Sequence, residues 1–135
     1  MIEVDSILPA KDAVSTQWFE GIAQGKLLLQ RDPKTGKAQF YPRAHIAGAP
    51  DREPEWFEAS GKATLYTYTV VKRSVHPQFA SCTPFTLAVV DLAEGARMTT
   101  WIVDVPEEEL RCDMPLKVTF RDIHPGLTMP CFTKA

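Results

Sequence analysis

The most strand-like run of apolar and polar positions lies between residues 58 and 73, where the sequence is EASGKATLYTYTVVKR. β-branched and aromatic residues dominate this stretch, and they favour strands because their side chains pack well on a pleated surface. Successive strand residues point to opposite faces. One predicted face carries Ala63, Leu65, Thr67, Thr69 and Val71, and the other carries Thr64, Tyr66, Tyr68 and Val70. Neither face is plainly polar, so we expect one long strand, kinked near Gly61, with protein covering both faces.

Four further segments downstream carry strand patterns. They are residues 84–92, 97–104, 114–123 and 127–132. Pro106 followed by three glutamates predicts a short helix between the third and fourth strands, because proline and acidic side chains favour a helix start. Pro130 predicts a sheet edge, since proline lacks a backbone donor. Five strands with a helix at that point fit an OB-fold, a five-stranded Greek-key barrel, better than an immunoglobulin-like sandwich, which needs about seven strands.

A helix is predicted upstream, over residues 12–25. Apolar residues recur there at helical spacing and form one stripe that includes Trp18 and Phe19. Asp12 or Ser15 can cap the helix start. A helix this short is marginal alone. Its two aromatic side chains must therefore dock, either on the chain's own barrel or on a partner subunit.

Short strand patterns also lie between the helix and the barrel, at residues 26–30 and 38–43. Asp32-Pro33 and Gly36 predict a turn between them, so the two segments form a small hairpin. The sequence thus predicts a mainly β chain in three parts. They are an N-terminal arm and helix (1–25, with the arm over 1–11), a small ribbon (26–57) and a five-stranded OB-fold barrel (58–135).

Composition and charge narrow the class of protein. With 44% apolar residues, a chain of 135 residues suffices for one core with an appendage. A formal net charge of −2 and an isoelectric point near 5.9 disfavour a general nucleic-acid binder, which is usually basic. No signal peptide and no apolar run of about 18 residues is evident, which predicts a soluble cytoplasmic protein without a membrane span.

The residues that most often carry chemistry form no recognisable catalytic motif. The histidines fall in separate turn-like loops, and we interpret them as surface residues. They are His45, His76 and His124. The cysteines are too widely spaced for a disulfide framework or a metal pair, and we interpret each as a small buried residue. They are Cys82, Cys112 and Cys131, of which Cys82 has the setting most open to solvent.

Several short segments occur in an order and spacing typical of one family. They are GKLLLQR (25–31), QFYPR (39–43), EASGKATLYTYTVV (58–71), PF (84–85), VDLAEGAR (90–97) and MPLKV (114–118). In these segments, and in the order helix, hairpin and barrel, the chain resembles the domain-of-unknown-function-35 (DUF35) family. Members of that family join a rubredoxin-like zinc ribbon to an OB-fold, so the resemblance covers most of the chain.

The ribbon departs from the pattern of this family, whose members typically carry two C-x-x-C zinc-binding pairs. The corresponding positions here are Asp32 and Thr35, then Ile46 and Ala49. These side chains cannot form a tetrathiolate zinc site, and His45 is a single imidazole without a suitable set of neighbours. We therefore expect a metal-free ribbon, without zinc or another tightly bound cofactor, held by its turn and by aromatic packing.

The resemblance implies an accessory role, because DUF35 proteins bind thiolase-superfamily enzymes that act on acyl-coenzyme A (acyl-CoA), and some join hydratase-like subunits. We expect a non-catalytic subunit that bridges such a thiolase-like partner, whether a thiolase, a synthase or a retro-aldolase. The expected interface residues are Trp18, Phe19, Phe40 and Tyr41. Arginine and lysine suit the phosphates of coenzyme A. The candidate contacts are Arg31, Lys34, Lys37, Arg43, Lys72 and Arg73.

Two alternatives remain open. In the first, the candidate interface residues only pack in the core, and the candidate coenzyme A contacts are only solubilising charges. An OB-fold can also bind single-stranded nucleic acid on aromatic platforms in a basic groove, and the candidates for such stacking are Tyr66, Tyr68, Phe85 and Trp101. The acidic balance of the chain disfavours that role, so we expect no nucleic-acid binding.

Overall fold

The computed structural model of the protein describes residues 8–135, so most of the predicted N-terminal arm lies outside the described residues. The predicted helix is present as α1, Ala13–Ala23. Asp12 caps it, because its Oδ1 accepts hydrogen bonds from the Val14 amide at 3.0 Å and the Ser15 amide at 2.7 Å. Trp18 is buried and anchors the helix on the rest of the chain.

The ribbon is a three-stranded antiparallel sheet. Its strands are β1 (Leu28–Arg31), β2 (Ala38–Gln39) and β3 (Glu55–Glu58). β1 is central, with Gln30 opposite Gln39 on one side and opposite Trp56 on the other. The predicted hairpin is thus present, and β3 adds a strand to it that the sequence pattern does not predict.

The start of the long strand is predicted wrongly, because Glu58 pairs with Leu28 in the ribbon and not with the barrel. The chain breaks at Gly61, which has a φ of +82°. A Cβ at this position would lie 2.6 Å from Val118 Cγ1, so only glycine allows the chain to pass this close to the barrel wall. Gly61 therefore separates the ribbon sheet from the first barrel strand.

Five strands close into a barrel, which confirms the predicted OB-fold architecture. They are β4 (Lys62–Val71), β5 (Phe85–Leu92), β6 (Arg97–Ile102), β7 (Pro115–His124) and β8 (Leu127–Lys134), in the order β4-β5-β6-β8-β7. A single 3-10 turn, Glu107–Glu109, lies where the pattern predicts a short helix. A second 3-10 segment, Pro77–Cys82, lies in the loop after β4.

The two faces of β4 differ from the prediction because the strand bulges. Its register against β5 shifts between Leu65 and Thr67, so the alternation of inward and outward side chains shifts by one residue. The inward residues are Ala63, Leu65, Tyr68 and Val70, and the exposed ones are Thr64, Tyr66, Thr67 and Thr69. Within residues 8–135 the chain itself therefore does not cover the outer face, and its cover by another subunit stays a prediction.

β8 is not a sheet edge, contrary to the prediction from Pro130, because it lies between β6 and β7 in the closed barrel. It pairs with β7 along its length. Its pairing with β6 is limited to Ile102 opposite Phe132. We call the remaining contact between these strands, residues 97–101 of β6 and 128–131 of β8, the seam. Pro130 lies in this seam.

The three cysteines do not share one environment. Cys131 is buried in the barrel, as predicted, whereas Cys112 is exposed in the turn before β7 and Cys82 is half-buried. The interpretation of all three as buried residues is therefore wrong for two of them. Among residues 8–135, no helix is long and apolar enough to cross a membrane.

Candidate functional site

Asp32 lies at the first ribbon position where the DUF35 pattern has a zinc ligand, and an arginine is its partner. The carboxylate accepts two hydrogen bonds from Arg52, with Oδ2 2.5 Å from Nη2 and Oδ1 3.0 Å from Nε. Oδ1 also accepts from the Lys34 amide at 2.9 Å. Because the guanidinium stabilises the ionised form, it holds the pKa of the Asp32 carboxyl well below its usual range. A charge pair therefore closes this end of the ribbon.

The second pair of positions where the family pattern has zinc ligands, Ile46 and Ala49, forms a small apolar cluster. Ile46 and Ala49 are buried, and their backbones face each other across a tight turn. The Ala49 amide donates to the Ile46 carbonyl at 3.0 Å, and the Arg52 amide donates to the Ala49 carbonyl at 3.0 Å. Arg52 thereby ties this turn to Asp32.

The chemistry of these four positions does not fit zinc. An aspartate engaged by Arg52, a threonine and two aliphatic side chains supply no tetrahedral set of thiolate or imidazole ligands. In the described part of the chain, no group of three His, Cys, Asp or Glu side chains is arranged to hold a metal ion. The metal content of the ribbon stays a prediction that elemental analysis can check.

A buried amide fixes the ribbon segment that faces the barrel. Gln30 lies at the centre of the ribbon sheet, and its Nε2 donates to the Arg43 carbonyl at 2.8 Å. Its Oε1 accepts from the Arg43 amide and from Gln39 Nε2, both at 2.8 Å. Both backbone groups of Arg43 are thus fixed to the sheet. These hydrogen bonds to Arg43 set the path of the residues that precede Arg43, including Phe40 and Tyr41.

The helix, the ribbon and the barrel meet at an apolar groove of about 380 Å³. One side of it is formed by the four predicted interface residues, Trp18, Phe19, Phe40 and Tyr41. Their ring centroids are 5.1 Å apart for Trp18 and Phe19, 6.0 Å for Trp18 and Phe40, and 4.3 Å for Phe40 and Tyr41. Tyr41 is 52% exposed, whereas Trp18 is 7% exposed. The four residues are therefore together, with Tyr41 open to solvent and Trp18 beneath it as support.

The opposite side of the groove is the seam. Thr100 Oγ1 crosses the seam and donates to the Pro130 carbonyl at 3.0 Å. The Thr99 amide donates to the Tyr41 hydroxyl at 3.3 Å, which links the ribbon to β6. Cys131 also lines the groove. Burial raises the pKa of the Cys131 thiol to about 11, so the thiol stays protonated at neutral pH and serves as apolar lining.

The predicted coenzyme A contacts fall into two groups. Arg31, Lys34, Lys37 and Arg43 belong to the ribbon, and Lys72 and Arg73 follow β4. Arg31 is engaged, because its Nε lies 3.3 Å from Glu55 Oε2 and its guanidinium lies over the Phe57 ring. Lys72 Nζ lies 3.3 Å from Glu107 Oε2. None of the six residues lines the groove, so the cationic and apolar surfaces are separate.

The residues considered for nucleic-acid stacking form no shared platform. Tyr68 is turned into the barrel, and its hydroxyl donates to a backbone carbonyl at 3.1 Å. Phe85 and Trp101 stack on each other with their centroids 4.3 Å apart. Arg97 covers Tyr66, with its guanidinium carbon 3.6 Å from the ring centroid. Tyr68 is therefore turned away from solvent, and a neighbouring side chain lies against one face of each of the other three rings.

The histidines and the half-buried cysteine do not gather into one site. His45 and His76 are exposed, His124 is half-buried, and none of them lines the groove. Cys82 Sγ lies 3.9 Å from the Ile123 carbonyl oxygen.

Sequence reasoning missed the barrel side of the groove and the partner of Asp32. Leu87 and Trp101 line the groove from outward positions of β5 and β6. Large apolar residues at outward positions of predicted strands are the signal that points to such a surface. Arg52 follows Asp32 by 20 residues, and no local pattern connects the two.

Two family models match the chain. One, the ChsH2 rubredoxin-like zinc ribbon domain, matches residues 19–45, and the other, the ChsH2 C-terminal OB-fold domain, matches residues 56–121. Among solved structures, an "Ltp2-ChsH2(DUF35) aldolase" is similar with a TM-score of 0.81 and 28% identity, over 93% of this chain and 98% of that one. A DUF35 protein from Sulfolobus solfataricus has a TM-score of 0.63 at 13% identity, over 97% and 92% of the two chains, and supports the fold alone.

Curated relatives match as well. A "DUF35 domain-containing scaffold protein" of Methanocaldococcus jannaschii is 37% identical over 87 residues, which are 62% of this chain and 60% of that protein. A "Probable enoyl-CoA hydratase alpha subunit" of Thermomonospora curvata is 28% identical over 127 residues, which are 94% of this chain and 39% of that protein. The chain thus spans between 39% and 60% of the length of these two relatives.

A ribbon followed by a five-stranded barrel defines the class of protein, a ribbon and OB-fold protein. The chain belongs to the DUF35 family, as its sequence segments predict. Within that family its ribbon carries Asp32, Thr35, Ile46 and Ala49 where two C-x-x-C pairs are typical.

Proposed function

We propose that this chain is a non-catalytic accessory subunit of an acyl-CoA enzyme complex. In this complex it is a bridging subunit that binds a thiolase-superfamily subunit, either alone or together with a hydratase-like subunit. The observation that carries the proposal is the groove, in which four aromatic side chains converge around the exposed ring of Tyr41. Exposed aromatic rings at an apolar groove are favoured anchors of protein interfaces. The names of the relatives, a scaffold protein, an enoyl-CoA hydratase subunit and an aldolase complex, support the same assignment.

Affinity purification of the chain from its native host, followed by mass identification of the associated proteins, tests this proposal. We expect a thiolase-like subunit to co-purify in fixed stoichiometry. Recovery of the chain alone, or with proteins unrelated to acyl-CoA metabolism, would contradict the proposal.

Tyr41→Ala is the sharpest variant for the groove, because the half-exposed ring contributes little to the core. Truncating an interface hot spot lowers affinity by about thirtyfold or more, and we expect that loss for the purified partner with an unchanged melting temperature. Tyr66→Ala is the matched control, since Tyr66 is 48% exposed but lies outside the groove. Trp18→Ala is less informative, because the buried ring also holds α1. Equal affinities of the Tyr41 and Tyr66 variants would argue against docking at the groove.

We also propose that the ribbon cations contact the phosphates of coenzyme A held by the partner. Lys34, Lys37 and Arg43 favour this role, because they are exposed and no ion pair engages them within residues 8–135. Arg73 is exposed as well, whereas Arg31 and Lys72 already have carboxylate partners.

Calorimetric titration with coenzyme A, on the isolated chain and on the purified complex, tests this second proposal. We expect binding heat from the complex that weakens in a Lys34→Ala, Lys37→Ala double variant. The matched control is Lys62→Ala, Lys117→Ala, which removes two exposed lysines from the barrel. If neither sample gives binding heat, or if both double variants bind coenzyme A equally, the proposed contact between the ribbon cations and coenzyme A is wrong.

A further inference from the structure

The backbone of β6 has an unpaired edge along the seam. In an antiparallel pair, residues bonded to the neighbouring strand alternate with residues whose backbone groups point away from it. The Leu92 amide donates to the Ala96 carbonyl at 2.8 Å, which directs the even-numbered residues of β6 towards β5. Arg97, Thr99 and Trp101 therefore direct their backbone groups towards the seam.

β8 does not complete this edge. The two strands share one register pair, at the far end of the seam. Pro130 has no amide proton, and its carbonyl already accepts from Thr100 Oγ1. The Thr99 amide meets only the Tyr41 hydroxyl, at a distance of 3.3 Å that is long for a hydrogen bond. Within the described residues, β6 thus presents a strand edge over residues 97–99 that no strand completes.

The surroundings of this edge select the kind of ligand. The groove beside it is lined by aromatic rings together with Leu87, Met98 and Met129. Asp12 is the single charged side chain among the described lining residues, and its carboxylate caps α1. A ligand bearing phosphates would find no cation there. An extended peptide supplies what the site lacks, because it carries alternating backbone donors and acceptors as well as apolar side chains.

We propose that the seam receives an extended apolar segment of the partner subunit, which adds as a strand to β6 at residues 97–99 and inserts an apolar side chain into the groove. A carbonyl of that segment replaces the Tyr41 hydroxyl at the Thr99 amide, and the Tyr41 ring packs against the inserted side chain. Exposed strand edges are natural templates for such pairing. The inference rests on the proposed accessory function and adds to it the mode of docking.

Thr99→Pro tests the backbone contact, because it removes the one amide that faces the seam at this position and leaves the β5 hydrogen bonds of β6 in place. We expect the affinity for the purified thiolase-like partner to fall about tenfold or more in a surface-immobilised binding assay. Thr99→Val is the matched control, since it keeps the amide, and it should bind within about twofold of the wild type. Circular dichroism and the melting temperature check that both variants keep the barrel.

Hydrogen–deuterium exchange of the wild-type complex gives a second measurement that depends on no variant. We expect the Arg97 and Thr99 amides to gain protection when the partner binds. If the partner co-purifies but these amides stay unprotected and Thr99→Pro binds normally, the inference is wrong and the accessory function stands. The chain could instead form a homodimer in analytical ultracentrifugation. If Thr99→Pro dissociates that homodimer, the seam binds a second copy of the chain and the proposal is wrong. If no partner co-purifies, both proposals fail.

Discussion

Apolar side chains fill the centre of the barrel, whereas the ribbon buries two polar side chains beside its apolar ones. Leu65, Leu116 and Phe132 in the barrel are at most 1% exposed. The ribbon instead buries Gln30 and Asp32 and satisfies each of them with specific hydrogen bonds. Apolar burial is non-directional and tolerates exchange among apolar residues, but a buried polar group depends on its particular partners. The two regions should therefore respond differently to the loss of one side chain.

The largest effect is expected from the barrel core. Phe132→Ala removes a fully buried ring, and such truncations destabilise a fold by about 3–5 kcal/mol through lost burial and the remaining cavity. Urea unfolding followed by circular dichroism measures the change. Lys117→Ala on the neighbouring strand is the control, because it changes an exposed side chain and should cost about 0.5 kcal/mol or less. A loss for Phe132→Ala as small as that of the control would contradict the core assignment.

A smaller, more local effect is expected at the centre of the ribbon. Gln30→Leu leaves both backbone groups of Arg43 without their partner, and each unsatisfied buried polar group costs about 1–3 kcal/mol. We expect the Arg43 amide to lose protection from hydrogen exchange while the barrel amides keep theirs. Gln17→Leu, an exposed helix position, controls for the change of residue type. Uniform loss of protection across both regions would show that ribbon and barrel unfold together.

Much of the barrel could be predicted from sequence, because period-two alternation relates directly to the inward positions of its strands. β5 shows this clearly, with Thr86, Ala88 and Val90 all buried. The faces of β4 could not be predicted beyond Leu65. The bulge that follows depends on how β4 pairs with β5, and the sequence of one strand does not record that pairing.

In the ribbon, the loss of the family's cysteines is evident from sequence, but what replaces them is not. Asp32 has a turn signature of its own, whereas its partner Arg52 lies in a distant loop and meets it only in three dimensions. The same holds for the groove. Its aromatic side follows from the residue types of Trp18 and Tyr41, but its barrel side depends on the divergence of β6 and β8 at the seam.

The charge pair in the ribbon predicts a pH dependence that the barrel core lacks. Because Arg52 lowers the pKa of Asp32 below its ordinary value of 3.8 in the folded state, the pair contributes stability above that value. The contribution declines as the pH falls below about 4 towards the lowered pKa. Calorimetric melting of the wild type and of Asp32→Asn should therefore differ by a constant amount between about pH 7 and pH 5, and the difference should begin to narrow only below about pH 4.

The matched control for this prediction lies in the same ribbon. Arg31→Met breaks the ion pair with Glu55, in which both side chains are about half exposed, and exposed pairs contribute little to stability. We expect Arg52→Met to lower the melting temperature by several degrees and Arg31→Met to leave it almost unchanged. Equal effects of the two variants would mean that the Asp32–Arg52 pair has no special part in holding the ribbon.

The smallest effect is expected from a chelator. Because Asp32 is engaged by Arg52, and Ile46 and Ala49 are aliphatic, incubation with EDTA should leave the melting temperature unchanged. Combined replacement of Asp32, Thr35, Ile46 and Ala49 by cysteine supplies the positive control, since thiolates at these positions should bind zinc and make the ribbon sensitive to EDTA. The wild type and this variant then separate two ways of closing one ribbon, with a charge pair or with a metal. Elemental analysis that finds about one zinc per wild-type chain would contradict the prediction that a charge pair closes the wild-type ribbon without a metal.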